Sequence, residues 1–187
     1  TTVTGTKYYY CVITNNNGCV VTSAVSGAIL VNVIPAITGQ STATQTRCQN
    51  VAASALSVTA TGTGLTYQWF SNATASNSGG TSIASATSSS YSPSTATVGT
   101  TYYYCEVTNT TGCKVTSSVS GAIIVNALPV ISSQSTATQT ICQYLTATTL
   151  SVSATGTTLT YKWYSNTSAS NSGGTEISGA TGSSYIP

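Results

Sequence analysis

The chain repeats itself at an offset of 94 residues. Tyr8, Tyr9, Tyr10 and Cys11 return as Tyr102, Tyr103, Tyr104 and Cys105; Cys19 returns as Cys113, Cys48 as Cys142 and Trp69 as Trp163. Between residues 5–93 and 99–187, 59 of 89 aligned positions are identical. A unit of this size is one small domain, and arrays of such units span distance or multiply a surface rather than carry out chemistry. The phase is also informative. Residues 1–7 align with residues 95–101, just past Pro93, so Pro187 leads almost directly back into Thr1. The sequence reads as a window cut from a longer periodic polymer, with one contiguous unit at residues 34–126.

Charge is nearly absent. Six charged side chains, Lys7, Arg47, Lys114, Lys162, Glu106 and Glu176, make up 3% of the residues, against about 25% in ordinary soluble domains. Ser, Thr, Asn and Gly must therefore cover the surface. An apolar fraction of 40% with a net charge of +2 argues for a packed chain, because disorder goes with low hydrophobicity and high net charge. So weak a field attracts neither nucleic acid nor an anionic membrane. No apolar run is long enough for a membrane helix. Three cysteines per repeat, with no histidine or aspartate, point to an oxidising compartment. Without histidine, zinc would need three or four clustered cysteines, and no CxxC pair occurs; calcium would need carboxylates, of which residues 34–126 have only Glu106. No metal or other cofactor is expected.

Alternation with period two dominates, and turn residues recur every eight to twelve positions, the pattern of an all-β sandwich. The middle repeat predicts an A segment over 37–46, a B strand over 56–61 and a C strand over 65–70. A Gly79-Gly80 loop follows, then short strands near 81–83 and 89–91, an F strand over 101–108 and a G strand over 114–125. Leu56, Val58 and Ala60 share one face. So do Leu65, Tyr67 and Trp69, and likewise Tyr103, Cys105 and Val107. These stripes predict the core. Tyr102 and Tyr104, with Tyr8 and Tyr10 in the first copy, alternate with the inward residues and are predicted to project outward as a lateral contact. Val12 and Val20 become Glu106 and Lys114 in the second copy, a paired change expected to lie side by side across the F–G hairpin.

A Trp in the third strand facing the F strand, and Tyr103 two residues before Cys105 at the position of a tyrosine corner, resemble an immunoglobulin-like domain. One element departs from it. Val58 (Val152 in the next copy) occupies the B-strand position of the usual partner cysteine, so the B–F disulfide cannot form. The segments 45–48, 65–69, 102–105 and 112–117 are similar to the tandem Ig-like repeats of giant secreted surface and filament proteins of Bacteroidetes-type bacteria. The resemblance implies a fold of tandem Ig-like β-sandwiches with a period of 94 residues. The phase of the repeat assigns residues 1–33 to the F and G strands of a repeat completed by a neighbouring copy, 34–126 to a complete repeat, and 127–187 to the A to E strands of a further one.

In such a sandwich the loop before strand B and the F–G loop lie at opposite ends, about 20–27 Å apart, while a disulfide wants Cα atoms within about 7 Å. Cys48 should not reach Cys113 of its own domain. It would reach the F–G cysteine of the next domain if repeats stack end to end. The disulfide candidates are Cys19, Cys48, Cys113 and Cys142, with Cys48 and Cys142 each joined to a following F–G cysteine and Cys11 and Cys105 left as buried thiols. A hairpin bridge from Cys105 to Cys113 and an internal bridge from Cys48 to Cys105 stay open. Related repeats keep the first and third cysteines together, which the resemblance implies is because they form a pair.

Catalysis has little footing. A repeated domain should carry its catalytic set in every copy, yet Glu106 is matched by Val12 and Glu176 by Ser82. Cys105 lies in an apolar stripe beside Trp69 with no basic partner. The chain is not expected to be an enzyme. The expectation is a structural protein, extracellular, secreted or at the cell surface, whose partners are copies of itself in a fibre or stalk. The alternative is an adhesin whose loops near 76–81 and 109–112 bind glycans or host proteins. Asn72, Asn109 and Asn166 each begin an N-x-Ser/Thr triplet, common by chance in a chain this rich in Asn, Ser and Thr.

Overall fold

The computed structural model describes residues 3–187. These form strands and connecting turns with no helix, in two compact units, Thr1–Asn126 and Ala127–Pro187. The first unit opens with four short strands paired in twos. β1 (Gly5–Lys7) lies antiparallel to β4 (Ile29–Val31), and β2 (Val12–Thr14) to β3 (Val20–Thr22).

Residues 34–126 build a two-sheet sandwich. One sheet runs β10 (Ser90–Tyr91), β7 (Leu56–Thr61), β5 (Ala36–Gln40). The other runs β6 (Gln45–Cys48), β13 (Ile123–Asn126), β11 (Gly99–Thr108), β8 (Thr66–Asn72), β9 (Thr81–Ser82), with β12 (Lys114–Thr116) also paired to β11. β7 has the bounds predicted for strand B. β8 is shifted one residue and extends to Asn72. Alternation puts Leu56 and Val58 of β7, Trp69 of β8, Tyr103, Cys105 and Val107 of β11, and Ile123 and Val125 of β13 into one buried cluster. Ala60, Leu65 and Tyr67 pack against it. Trp69 is 2% exposed, and its indole N–H, which burial would otherwise leave without a partner, donates to the Ser88 carbonyl at 2.9 Å. Tyr91 bridges the aromatic layer, with ring centroids 6.0 Å from Trp69 and 5.5 Å from Tyr103.

Two predicted strands are each cut in two. The A segment changes sheets: β5 pairs antiparallel with β7, and β6 pairs parallel with β13. Between them the chain crosses over Gly121, whose missing side chain makes room; a Cβ there would collide with the backbone of Ala43 and Thr44. The G strand breaks between β12 and β13 because two serines take over its ladder. Ser117 accepts a hydrogen bond from the Cys105 N–H on its hydroxyl at 2.9 Å, and its own N–H donates to the Cys105 carbonyl at 2.8 Å. Ser120 does the same with Tyr103, at 3.0 and 2.8 Å. The buried F strand thus stays satisfied while the chain bulges. Ser23 and Ser26 make the same bonds with Cys11 and Tyr9.

The second unit holds β14 (Val130–Gln134), β15 (Leu150–Thr155) and β18 (Ser184–Tyr185) in one sheet, and β16 (Tyr164–Ser165) paired with β17 (Thr175–Glu176). Its pairings fall 94 residues beyond those of β5, β7, β10, β8 and β9, including the irregularity at Ile131/Ser133 that matches Ile37/Gly39.

Replacing Trp69 by Ala should lower unfolding free energy by about 3–5 kcal/mol, the cost of emptying a buried aromatic site, measured by urea titration of the full chain. Ser117→Ala and Ser120→Ala should each cost about 1–3 kcal/mol, because the F-strand N–H groups would stay buried without acceptors; equality with wild type in the same titration would contradict that role.

Candidate functional site

The seven-residue ladder from Tyr102↔Asn72 to Thr108↔Thr66 joins β11 to β8 in the complete sandwich. Its counterparts by the 94-residue offset are residues 8–14 in the first unit and 160–166 in the second. The counterpart of β11 forms β1 and β2, with Tyr8 to Cys11 outside any strand, and the counterpart of β8 forms β16. Equivalent residues differ in burial. Tyr9 is 50% exposed where Tyr103 is 5%, and Ile29 is 46% exposed where Ile123 is 1%. Leu150, Val152 and Trp163 are half-buried where Leu56, Val58 and Trp69 are buried. Residues 5–31 pair as the F and G strands of residues 99–125 do, and residues 130–185 pair as the strands of residues 36–91 do.

The cysteines of residues 34–126 are spread along the sandwich. Cys48 pairs with Asn126, just beyond the Val125↔Gly99 pair, whereas Cys113 lies in the turn after Thr108↔Lys114. The run of β11 between those levels spans about 30 Å, at about 3.4 Å per residue. That far exceeds the Cα separation of about 7 Å which a disulfide tolerates. Cys105 stands six residues from Gly99 and four from Asn109, whose backbone N–H donates to the Cys113 carbonyl, leaving about 20 Å on one side and about 13 Å on the other. The two internal bridges left open by the sequence are therefore out of reach. All six cysteines are free. Cys105 is buried against Trp69, and that burial pushes its thiol up to about 11, with the Glu106 carboxylate adding to the effect. Cys113 is half-buried, and Cys11, Cys19, Cys48 and Cys142 are exposed. Cys11 differs from its expected burial because the sheet that covers Cys105 has no counterpart over residues 3–33.

Cys113 and Cys48 each sit beside a chain junction of residues 34–126. The Asn109 side chain shapes the Cys113 turn by accepting from the Thr111 and Cys113 N–H groups, and its amide donates to the Val33 carbonyl at 2.8 Å. At the opposite end the Gln49 N–H donates to the Asn126 carbonyl at 2.8 Å.

Tyr104 overturns the expectation of an outward lateral contact. It is 6% exposed, stacks on Phe70 at 5.0 Å, and its hydroxyl accepts from the Gly80 N–H at 3.1 Å. Strand parity placed it on the outer face correctly. What parity omits is the loop of residues 73–80, which folds over that face and is pinned by the Asn77 amide donating to the Ser117 carbonyl at 2.9 Å. The signal was Gly80, where a Cβ would lie 2.8 Å from the Tyr104 ring. Tyr102 is half-buried, and Tyr8 and Tyr10 are exposed. Glu106 and Lys114 form an ion pair at 2.6 Å on the solvent side of the hairpin. Asn72 and Asn166 use their amides within their own loops, donating to the carbonyls of Ser76 and Ser78 and of Ser170 and Ser172.

A sandwich of sheets A-B-E and A′-G-F-C-C′, with a Trp of strand C packed on strand F, defines an immunoglobulin-like domain. Residues 33–127 match the family model described as "Ig-like domain CHU_C associated", and the chain belongs to that family, in keeping with the likeness to Bacteroidetes-type repeats. No curated protein matches the chain. Among the described residues no helix is long and apolar enough to cross a membrane.

The folded Cys105 pKa of about 11 lies above the ordinary thiol value of 9.0. The folded state therefore keeps a proton that the unfolded chain releases, so this stabilisation is complete below pH 9 and is lost as pH rises toward 11. Burial raises Tyr91 and Tyr103 in the same direction. The urea midpoint should fall between pH 9 and 11, and Cys105→Ala should flatten part of that slope. In the reduced, dissociated chain at pH 8, iodoacetamide should modify Cys48 and Cys142 rapidly and Cys105 only on unfolding, as read by peptide mass.

Proposed function

We propose that the chain is a structural protein of an extracellular fibre or stalk, built from 94-residue Ig-like repeats stacked end to end. Residues 1–33 supply the F and G strands, and residues 127–187 the A to E strands, of repeats completed by neighbouring copies. The observation that carries this reading is the recurrence of strand pairing at an offset of 94 residues: Gly5↔Val31 and Val12↔Thr22 match Gly99↔Val125 and Glu106↔Thr116, and Val130↔Thr155 and Leu150↔Tyr185 match Ala36↔Thr61 and Leu56↔Tyr91.

In such an array the end of one repeat carrying Cys48 meets the F–G turn of the next. Cys48 then pairs with Cys19 of a following copy, and Cys142 with Cys113 of that copy. Each bridge forms as two thiols give up two protons and two electrons to an extracellular oxidant. Near-neutral surfaces suit the role, since neighbouring chains approach without repulsion, and four basic residues leave trypsin-like proteases few sites. A scaffold also accounts for the loops. The polar groups near 76–81 and 109–112 are largely spent on each other and on the F strand, which favours architecture over glycan recognition.

Sedimentation and negative-stain microscopy of the purified chain should show linear polymers. Non-reducing peptide maps should contain Cys48 linked to Cys19 and Cys142 linked to Cys113. A monodisperse monomer, or a dominant Cys105–Cys113 peptide, would be incompatible with the fibre. With its bridges formed, the array should withstand denaturant until reduced, each bridge adding about 2–4 kcal/mol.

A further inference from the structure

Between the two sheets of residues 34–126, a cleft of about 290 Å³ opens beside the aromatic layer. Tyr91 and Tyr103 form its floor, their ring centroids 5.5 Å apart, and Ser71, Thr97 and Thr101 stand around it. Every lining residue lies in the complete sandwich, and each strand next to the cleft has its partners. We propose that this cleft binds a neutral pyranose, the terminal residue of a glycan, which lays the C–H face of its ring on Tyr91 and bonds through its hydroxyls to Ser71, Thr97, Thr101 and Tyr103. This binding goes beyond the fibre reading and does not depend on it.

Unspent hydroxyls carry the assignment. At 76–81 and 109–112 the polar groups are bonded to each other and to the F strand. In the cleft the hydroxyls of Ser71, Tyr91 and Thr97 make no hydrogen bond among the described residues, and those of Thr101 and Tyr103 meet only each other. A hydroxyl can donate once and accept twice, so most of this capacity is left for a ligand. Tyr103 is the telling member. It is 5% exposed, and a tyrosine at this place in an immunoglobulin-like fold ordinarily spends its hydroxyl on the backbone upstream. Here the phenol lines the cleft instead, with the Thr101 hydroxyl beside it.

Size and charge narrow the ligand. Pockets for drug-sized molecules run from roughly 300 to 1,000 Å³, so about 290 Å³ admits one ring and not two. No charged side chain lines the cleft, and an ion placed there would stay unpaired. A ring with an apolar face and several hydroxyls matches two tyrosines flanked by serine and threonines. The rim also distinguishes this copy. The floor recurs, Tyr103 as Tyr9 and Tyr91 as Tyr185, whereas Thr97 and Thr101 are Val3 and Lys7 94 residues earlier. The repeat therefore does not require either threonine for its fold.

Saturation-transfer NMR on the full chain tests the cleft with the methyl glycosides of glucose, galactose, mannose and N-acetylglucosamine, whose capped anomeric oxygen mimics attachment to a glycan. At least one should show saturable transfer, strongest at the C–H protons of one ring face. Tyr103→Phe, which removes only the hydroxyl, should weaken that binding about tenfold and leave the urea midpoint at neutral pH nearly unchanged. Thr97→Val combined with Thr101→Lys, which installs the residue types of positions 3 and 7, should abolish binding in a chain that still folds. No saturable transfer to any of the four glycosides would overturn the site, as would binding that both variants retain in full. Cyclohexylmethanol has a similar ring with one hydroxyl; transfer to it as strong as to the glycosides would overturn a sugar as the ligand.

Discussion

The pairing of β8 with β11 is the interaction on which the rest of the domain depends. It sets Cys105 opposite Trp69 and Val107 opposite Tyr67, so one ladder carries the backbone bonds of the central sheet and one wall of the core. Where the ladder is present, the flanking strands β12, β13 and β9 have an ordered edge to join. Residues 8–14 and 160–166, the counterparts of its two strands, form shorter strands, and their core positions are less buried. The contrast arises within sequence identical at 59 of 89 aligned positions. It therefore reflects the absence of a partner strand rather than any weakness of local propensity.

Low charge and dispersed cysteines complement that arrangement. A sandwich with few ion pairs gains little from surface electrostatics; Lys114–Glu106 and Lys162–Glu176 are both solvent-facing, and pairs of that kind contribute about 0–1 kcal/mol. Stability must come from burial, and in the proposed array from covalent links at the two ends of each domain. Cys48 and Cys113 stand at opposite ends of the domain, beside the residues through which the chain leaves and arrives, while Cys105 is confined in the core as an inert thiol.

Much of this is legible in the sequence. Alternation located β7 to the residue and assigned Trp69, Cys105 and Val58 to one interior, because burial on one face imposes a strict period of two. Strand length separated Cys48 from Cys113 for the same reason: rise per residue is nearly constant. The misreadings share a different origin. A serine hydroxyl standing in for a ladder partner leaves no mark on hydrophobic periodicity, so the break at Ser117–Ala122 was invisible. The change of sheet after Gln40 depends on backbone room at Gly121, a contact between segments 78 residues apart. Tyr104 was assigned to solvent because parity describes one strand at a time and does not foresee a loop laid across it.

The two serine bulges have a further consequence. Ser23 and Ser26 hold Cys11 and Tyr9 in the lone hairpin by the same bonds that Ser117 and Ser120 make in the complete sandwich. In the proposed array the hairpin would be preorganised before it meets its opposing strands, and the conformational entropy of shaping it would be lost during its own folding rather than at the encounter. A bulge also fixes where the ladder can begin. A hairpin shifted by one residue would present its polar face to the core, and the kink would fall in the wrong place to let the strands close. In that array fidelity of joining would be written into a local turn, independent of any surface charge to steer it.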